Sequence, residues 1–217
     1  MSGKCSTKHH NKENMNAQVK SNPPPEIGAQ FGGGFFAGLV LVNGAPFALI
    51  VAPKDGGEIE GKWSSSYDSV AAAVSYCDGK ANTAAMAAAG SDLAETIIAM
   101  EINGVNDWYL PSQDELEILY RAFKPTDDKN SLYGRSGINL SAVPPARPYE
   151  PGSPLQTVAA AFVEGAAEAF TDDWYWSSTQ HAAGSDCAWG QYFGYGLQGH
   201  DSKSYEGRAR AVRRLPI

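Results

Sequence analysis

The chain has 217 residues, of which 43% are hydrophobic, 19% charged and 11% aromatic, enough to bury a sizeable core. Lys+Arg 17 against Asp+Glu 24 leaves a formal charge of −7, which argues against a general nucleic-acid binder because phosphate contacts demand a basic face. No stretch approaches the ~18 consecutive apolar residues of a membrane span, the first thirty residues lack a secretory apolar region, and Cys5, Cys77 and Cys187 are too scattered for a disulfide scaffold or a zinc ribbon.

Residues 1–30 are polar throughout and close on Pro23-Pro24-Pro25, too little apolar surface to offset the entropy of ordering. Lys4, Lys8, Lys12 and Lys20 against Glu13 and Glu26 give this arm a charge of +2, so the body, 31–217, carries −9. Two readings fit the arm: a docking segment, which is the one adopted, or a terminus with no role of its own. Cys5, His9 and His10 are a metal lead only if assembly completes the ligand shell; a polar arm that happens to contain them is the plainer account, and no metal or cofactor is expected.

The body opens with two apolar β-prone runs, 35–42 and 45–51, around Asn43-Gly44, a strong hairpin signal. Pro46 implies that the second strand starts at, or lies on, an edge, and Gly32-Gly33-Gly34 reads as a hinge. Val70, Val74 and Cys77 form a helical stripe. Met86, Leu93, Ile97 and Met100 mark further helix, broken at Gly90-Ser91. The clearest helix starts at Ser112, where Ser112 and Glu115 form a capping box, continues through Leu116, Leu119, Tyr120 and Phe123, and stops at Pro125. Residues 125–154 read as a long irregular excursion. The spacing of Leu155, Val158, Phe162 and Ala166 predicts a helix over 155–170. Strands follow at 174–179, at 188–195 and at 208–215. Strands at both ends with helices between them imply an α+β domain whose sheet pairs distant parts of the chain.

Three segments in order carry a resemblance: Asp107-Trp108-Tyr109-Leu110-Pro111-Ser112 leading into Glu115-Leu116; Tyr175-Trp176-Ser177-Ser178-Thr179; and Ala209-Arg210-Ala211-Val212-Arg213, with Ala188-Trp189 and Phe193 between the last two. Together they resemble the Lcl C-terminal family, a C-type-lectin-like domain of phage and bacterial proteins, and most of all its members in tailed phages and prophages. The likeness spans the body, although Tyr109 stands where the family usually has Arg. It implies a fold in which strands from both ends of the body join a mixed or antiparallel sheet, with helices packed against it. The wider superfamily spans binding and catalysis, so the site must decide.

The candidate site is the aromatic, glycine-rich stretch 180–207. Its proposed ligand-binding residues are His181, Asp186, Tyr192, Tyr195, Gln198, His200, Asp201 and Tyr205. Tyr gives rigid amphipathic contact area and small polar groups adapt their hydrogen bonds, as in a paratope. Trp176, Trp189 and Phe193 are expected to fill the core. No catalytic residue is assigned. Ser177 and Ser178 near His181 lack a nucleophile-elbow pattern, Cys77 and Cys187 lie in no reactive motif, and adjacent Asp127-Asp128 and Asp172-Asp173 point apart in a strand. The calcium loop of true C-type lectins is missing. Arg208, Arg210, Arg213 and Arg214 are read as a salt-bridged structural strand.

These readings converge on a non-enzymatic virion protein of tail-tip or fibre type, assembled in the host cytoplasm. Its body would bind a host-surface protein or glycan, its arm other virion proteins, and avidity would come from a homotrimer, with no nucleic acid bound and no membrane inserted. The alternative is a structural or decoration protein that stabilises a capsid or tail joint.

Overall fold

Asn43 and Gly44 both take positive φ, 52° and 79°, the two-residue turn whose twist matches the strands it joins. It connects β2 (Gly34–Val42) to β3 (Ala45–Val51) as the sequence predicts. A computed structural model describes residues 24–217. The docking role expected of the arm, with Cys5, His9 and His10, therefore lies outside the described residues except at 24–30. Those last positions join the body: the Gly28 amide donates to the Phe36 carbonyl at 2.8 Å, and β1 (Gln30–Phe31) pairs with β2. The glycines read as a hinge form the packed turn between them. A Cβ on Gly34 would stand 2.1 Å from the Val51 carbonyl oxygen.

The first sheet is antiparallel, in the order β1-β2-β3-β9, and is closed by β9 (Val212–Pro216). Strands from the two ends of the body thus meet in one sheet, as the resemblance implied. Alternate residues of β3 point to opposite faces. Ala48 and Ile50 enter one core cluster, while Leu49 and Val51 enter a second. Both faces are covered, which accounts for the unbroken apolar run in the sequence.

A distorted single turn, α1 (Lys54–Gly57), leads to a second sheet. It contains β4 (Glu58–Lys62), β5 (Trp174–Gln180), β6 (Cys187–Tyr192), β7 (Gln198–Ser202) and β8 (Glu206–Arg210), in the order β4-β8-β5-β6-β7. Its β5–β8 pair is parallel and the others antiparallel. Three helices, α2 (Gly79–Ala88), α3 (Asp92–Ile98) and α4 (Gln113–Phe123), pack with the sheets. The architecture is α+β, with two sheets rather than one.

The capping box of α4 forms as the sequence predicts. Ser112 Oγ accepts from the Glu115 amide at 3.4 Å, and Glu115 Oε2 accepts from the Ser112 amide at 2.8 Å. The same buried carboxylate accepts from the Gly79 amide and, at 2.7 Å, from the Tyr109 hydroxyl. Tyr109 thus gives Glu115 a neutral donor. Arg214 supplies the nearby charge at 3.9 Å.

Two predicted helices do not form, for a common reason. Around Val70, Val74 and Cys77 the backbone is bonded elsewhere. The Val70 amide donates to Gln180 Oε1 at 2.7 Å, the Ser75 amide to Asn82 Oδ1 at 3.0 Å, and the Tyr76 carbonyl accepts from the Asp114 amide at 2.9 Å. Helix begins only after Asp78, whose side chain caps α2. Over 155–170 a short 3₁₀ turn, Ala160–Phe162, replaces the helix. Leu155 and Val158, expected on its buried face, are 74% and 99% exposed. The Thr157 and Glu164 amides bond the Lys124 and Pro125 carbonyls at 2.9 and 3.1 Å, strapping the segment across the end of α4. Phe162 then stacks on Phe123 at 3.8 Å and Phe170 on Phe193 at 4.1 Å.

The closing strand expected at 208–215 serves both sheets. β8 ends at Arg210, β9 starts at Val212, and Ala211 between them donates to the Gly57 carbonyl and accepts from the Ala52 amide, each at 2.9 Å. Arg210 is fully buried at this crossing. Its guanidinium meets Glu58 Oε2 at 3.0 Å, Glu168 Oε2 at 2.8 Å and the Ala52 carbonyl at 2.8 Å, and lies over the Phe170 ring. Arg208 pairs with Glu60 and Asp173, Arg213 with Asp107 and Arg214 with Asp78, so the basic run is the paired structural strand anticipated. Breaking a buried pair by removing one partner costs about 3–5 kcal/mol. Arg210→Ala is therefore expected to lower the unfolding free energy in urea by about that much, since it takes from Glu168 its ion partner and from Glu58 its closest one. An unchanged urea midpoint would refute this role.

Candidate functional site

Strand period decides the site. Tyr175 of β5 points into the second core cluster, so Trp174 and Trp176 share the other face. Trp176 lies opposite Gly190 of β6, and Gly190 opposite Gly199 of β7. With Gly207 of β8, these glycines form a floor beneath two indoles. A Cβ on Gly199 would stand 3.0 Å from the Trp174 ring, and one on Gly207 would stand 2.6 Å from Trp176 Nε1. Glycine within a strand here marks close approach of a neighbour.

Trp176 is buried and its Nε1 donates to the Gly61 carbonyl at 3.2 Å. Trp174 is 39% exposed. The two indoles, with His200, Asp201, Tyr205 and Glu206, line a groove with a cavity volume of about 100 Å³. Tyr192 stands edge-on to Trp174, with ring centres 5.7 Å apart, and Tyr195 follows at 4.7 Å from Tyr192. An aromatic surface thus runs from the groove along the β6–β7 turn.

The eight residues singled out from the sequence divide into three groups. Asp201 and Tyr205 line the groove, Tyr192 and Tyr195 extend its aromatic rim, and His200 borders it while its ring, on the face of β7 shared with Gln198, turns to Trp189. His181 and Asp186 lie outside the groove lining, near the start of β6, where the His181 ring stacks on His200 at 4.0 Å. Gln198 does not join them: it is 5% exposed, facing the interior beside Gln191. Trp189 also departs from expectation. It is half-buried against both imidazoles, at 5.3 and 5.5 Å, rather than within the core. Sequence reasoning missed Trp174, Glu206 and the glycine floor. The available signal was a Trp pair two apart on one strand with isolated glycines in three others.

The Ser177 and Ser178 hydroxyls donate to the Trp189 and Pro111 carbonyls at 2.9 and 3.2 Å, so sequence proximity to His181 does not bring a nucleophile to a base. Among the described residues no three His, Cys, Asp or Glu side chains gather to hold a metal.

Burial, and then the neighbouring His200, hold the His181 pKa below its ordinary value, with Asp186 pulling the other way. The unfolded chain takes up this proton near pH 6.5, the folded chain only at lower pH. Stability is therefore expected to fall as pH drops through 6.5 toward the depressed folded value. His200→Gln, which removes one of the two causes, should shrink the loss of Tm between pH 7 and pH 5; an undiminished loss would exclude the pairing as its source. The floor carries a separate expectation. Gly207→Ala pushes the Trp176 indole from its place and should cost about 1–3 kcal/mol, read as a lowered urea midpoint and a changed near-ultraviolet circular dichroism signal.

Compared with known proteins, the chain matches the family model of the Lcl C-terminal domain over residues 60–213. No curated protein and no solved structure gives a significant match. The matched span holds the Trp174–Trp176 face, the glycine floor, the Glu115 cap and the buried Arg210, and with this span covering most of its length the chain belongs to the Lcl C-terminal domain family.

Proposed function

We propose that this chain is a non-enzymatic virion protein of a tailed phage or prophage, of tail-tip or fibre type, whose C-type-lectin-like body binds a host-surface protein or glycan. The observation that carries this reading is the aromatic groove of the second sheet. Trp174 and Tyr205 expose large rigid rings beside adaptable polar groups, and buried Trp and Tyr anchors carry most of the free energy at recognition surfaces. The C-type-lectin-like assignment is supported by strands from both ends of the body closing one sheet, with the second half of the chain building the other. Weak single contacts would be made useful by avidity in a homotrimer, with the arm docked on other virion proteins. The free thiols of Cys77 and Cys187 accord with assembly in a reducing cytoplasm.

A second reading, a structural or decoration protein at a capsid or tail joint, draws on a different observation. Leu132, Tyr133, Leu140, Leu155 and Val158 are exposed on the excursion between α4 and β5, an apolar surface that a neighbouring subunit would cover. Adsorption separates the two. Purified protein is expected to block phage adsorption to host cells, and Trp174→Ala to lose that block while keeping its circular dichroism spectrum. A wild-type protein that does not compete, or a groove found covered by a neighbouring subunit in the intact particle, would favour the joint protein.

A further inference from the structure

We infer that the groove of the second sheet takes a compact alkylammonium group, quaternary or primary, carried by a host-surface molecule; this rests on the reading of the same face as the recognition surface. Size is the first argument. A cavity volume of about 100 Å³ suits one small head group better than a peptide segment or a run of sugar rings.

The walls are the second argument. Trp174, Trp176 and Tyr205 border the cavity, and aromatic π-systems attract a cation while also burying its methyl or methylene groups. The indoles are held in place before any ligand arrives, because the glycine floor and the Trp176 bond to Gly61 fix where the rings lie.

Charge is the third argument. Asp201 and Glu206, both exposed, supply the carboxylates of the lining. Arg208 is already shared among Glu58, Glu60 and Asp173, and among the described residues neither Asp201 nor Glu206 makes an ion pair. Lys62 stands opposite Glu206 in the β4–β8 ladder without pairing with it. A phosphate, sulfate or carboxylate ligand would meet two like charges, and no Lys or Arg side chain borders the groove. An ammonium ion would meet its complement.

The test is isothermal titration calorimetry on the full chain with choline, glucosamine and Nα-acetyl-lysine amide as probes, and 3,3-dimethylbutan-1-ol as the uncharged isostere of choline. At least one ammonium probe is expected to bind, with the isostere at least tenfold weaker. Trp174→Ala and Glu206→Gln should each weaken the bound probe at least tenfold without changing Tm by more than a few degrees. Preference for choline would assign a quaternary head group, and preference for glucosamine or the lysine amide a primary amine. An isostere as tight as choline, or no ammonium probe bound at roughly 10 mM, overturns the inference. If no ammonium probe binds yet Trp174→Ala still abolishes the adsorption block, the ligand class falls and the recognition face stands. If choline binds while the block survives that substitution, the recognition reading falls and the ammonium site stands.

Discussion

A guanidinium with no exposed surface must be met by carboxylates, and at Arg210 they come from β4 and from the strap that precedes β5. Taking such a charge out of water is tolerable only when its donors are paired, so Glu58, Glu168 and the Ala52 carbonyl are fixed by the same requirement. The group sits where the chain passes from the second sheet to the first. Ala211, the residue between the two strands, bonds on both sides to the α1 region. One ion cluster thereby sets how the sheets lie relative to each other, and it draws the non-helical segment before β5 onto the body through Glu168.

The groove of the second sheet inherits its geometry from that cluster. Glu58 also accepts from the Tyr175 hydroxyl at 3.0 Å, which holds Tyr175 on the inner face of β5. The two-residue strand period then leaves Trp174 and Trp176 on the outer face. β8, which carries Arg210, also carries Gly207 beneath Trp176 and begins at Glu206 on the groove. Core and groove are two sides of one pair of neighbouring strands. The arginines of β8 and β9 are consumed in building the scaffold.

What the sequence discloses depends on how local the physics is. The Asn43-Gly44 turn, the Ser112–Glu115 box and the paired arginine strand are set by neighbours a few residues away or by simple charge counting, and all three are legible. The stripes at Val70 and at Val158 have helical spacing, yet the amides of Val70, Thr157 and Glu164 are taken by Gln180, Lys124 and Pro125, partners that no local window contains. Spacing alone cannot show that a competing acceptor waits elsewhere. The site was half legible for a related reason. His200, Asp201 and Tyr205 fall in the aromatic, glycine-rich stretch, but the groove exists only because β5 and β8 bring Trp174, Trp176 and Gly207 beside it. Gln198 looked like a surface amide from composition and is turned inward by strand alternation.

Because the segment 206–216 belongs to both sheets, it gives the protein an order of assembly as well as a shape. Every strand that β8 and β9 pair with is synthesised before them, and β3 and β4 must wait for partners more than a hundred residues downstream. A nascent chain can close the β2–β3 hairpin and cap α4 early, since those contacts are local. It can bury neither the free edge of β3 nor the carboxylate of Glu58 until the last strands arrive. Long-range pairing of this kind slows folding and leaves edges open meanwhile. The body is thus closed by a latch at its far end, and the groove, whose floor includes Gly207, is completed in the same late step.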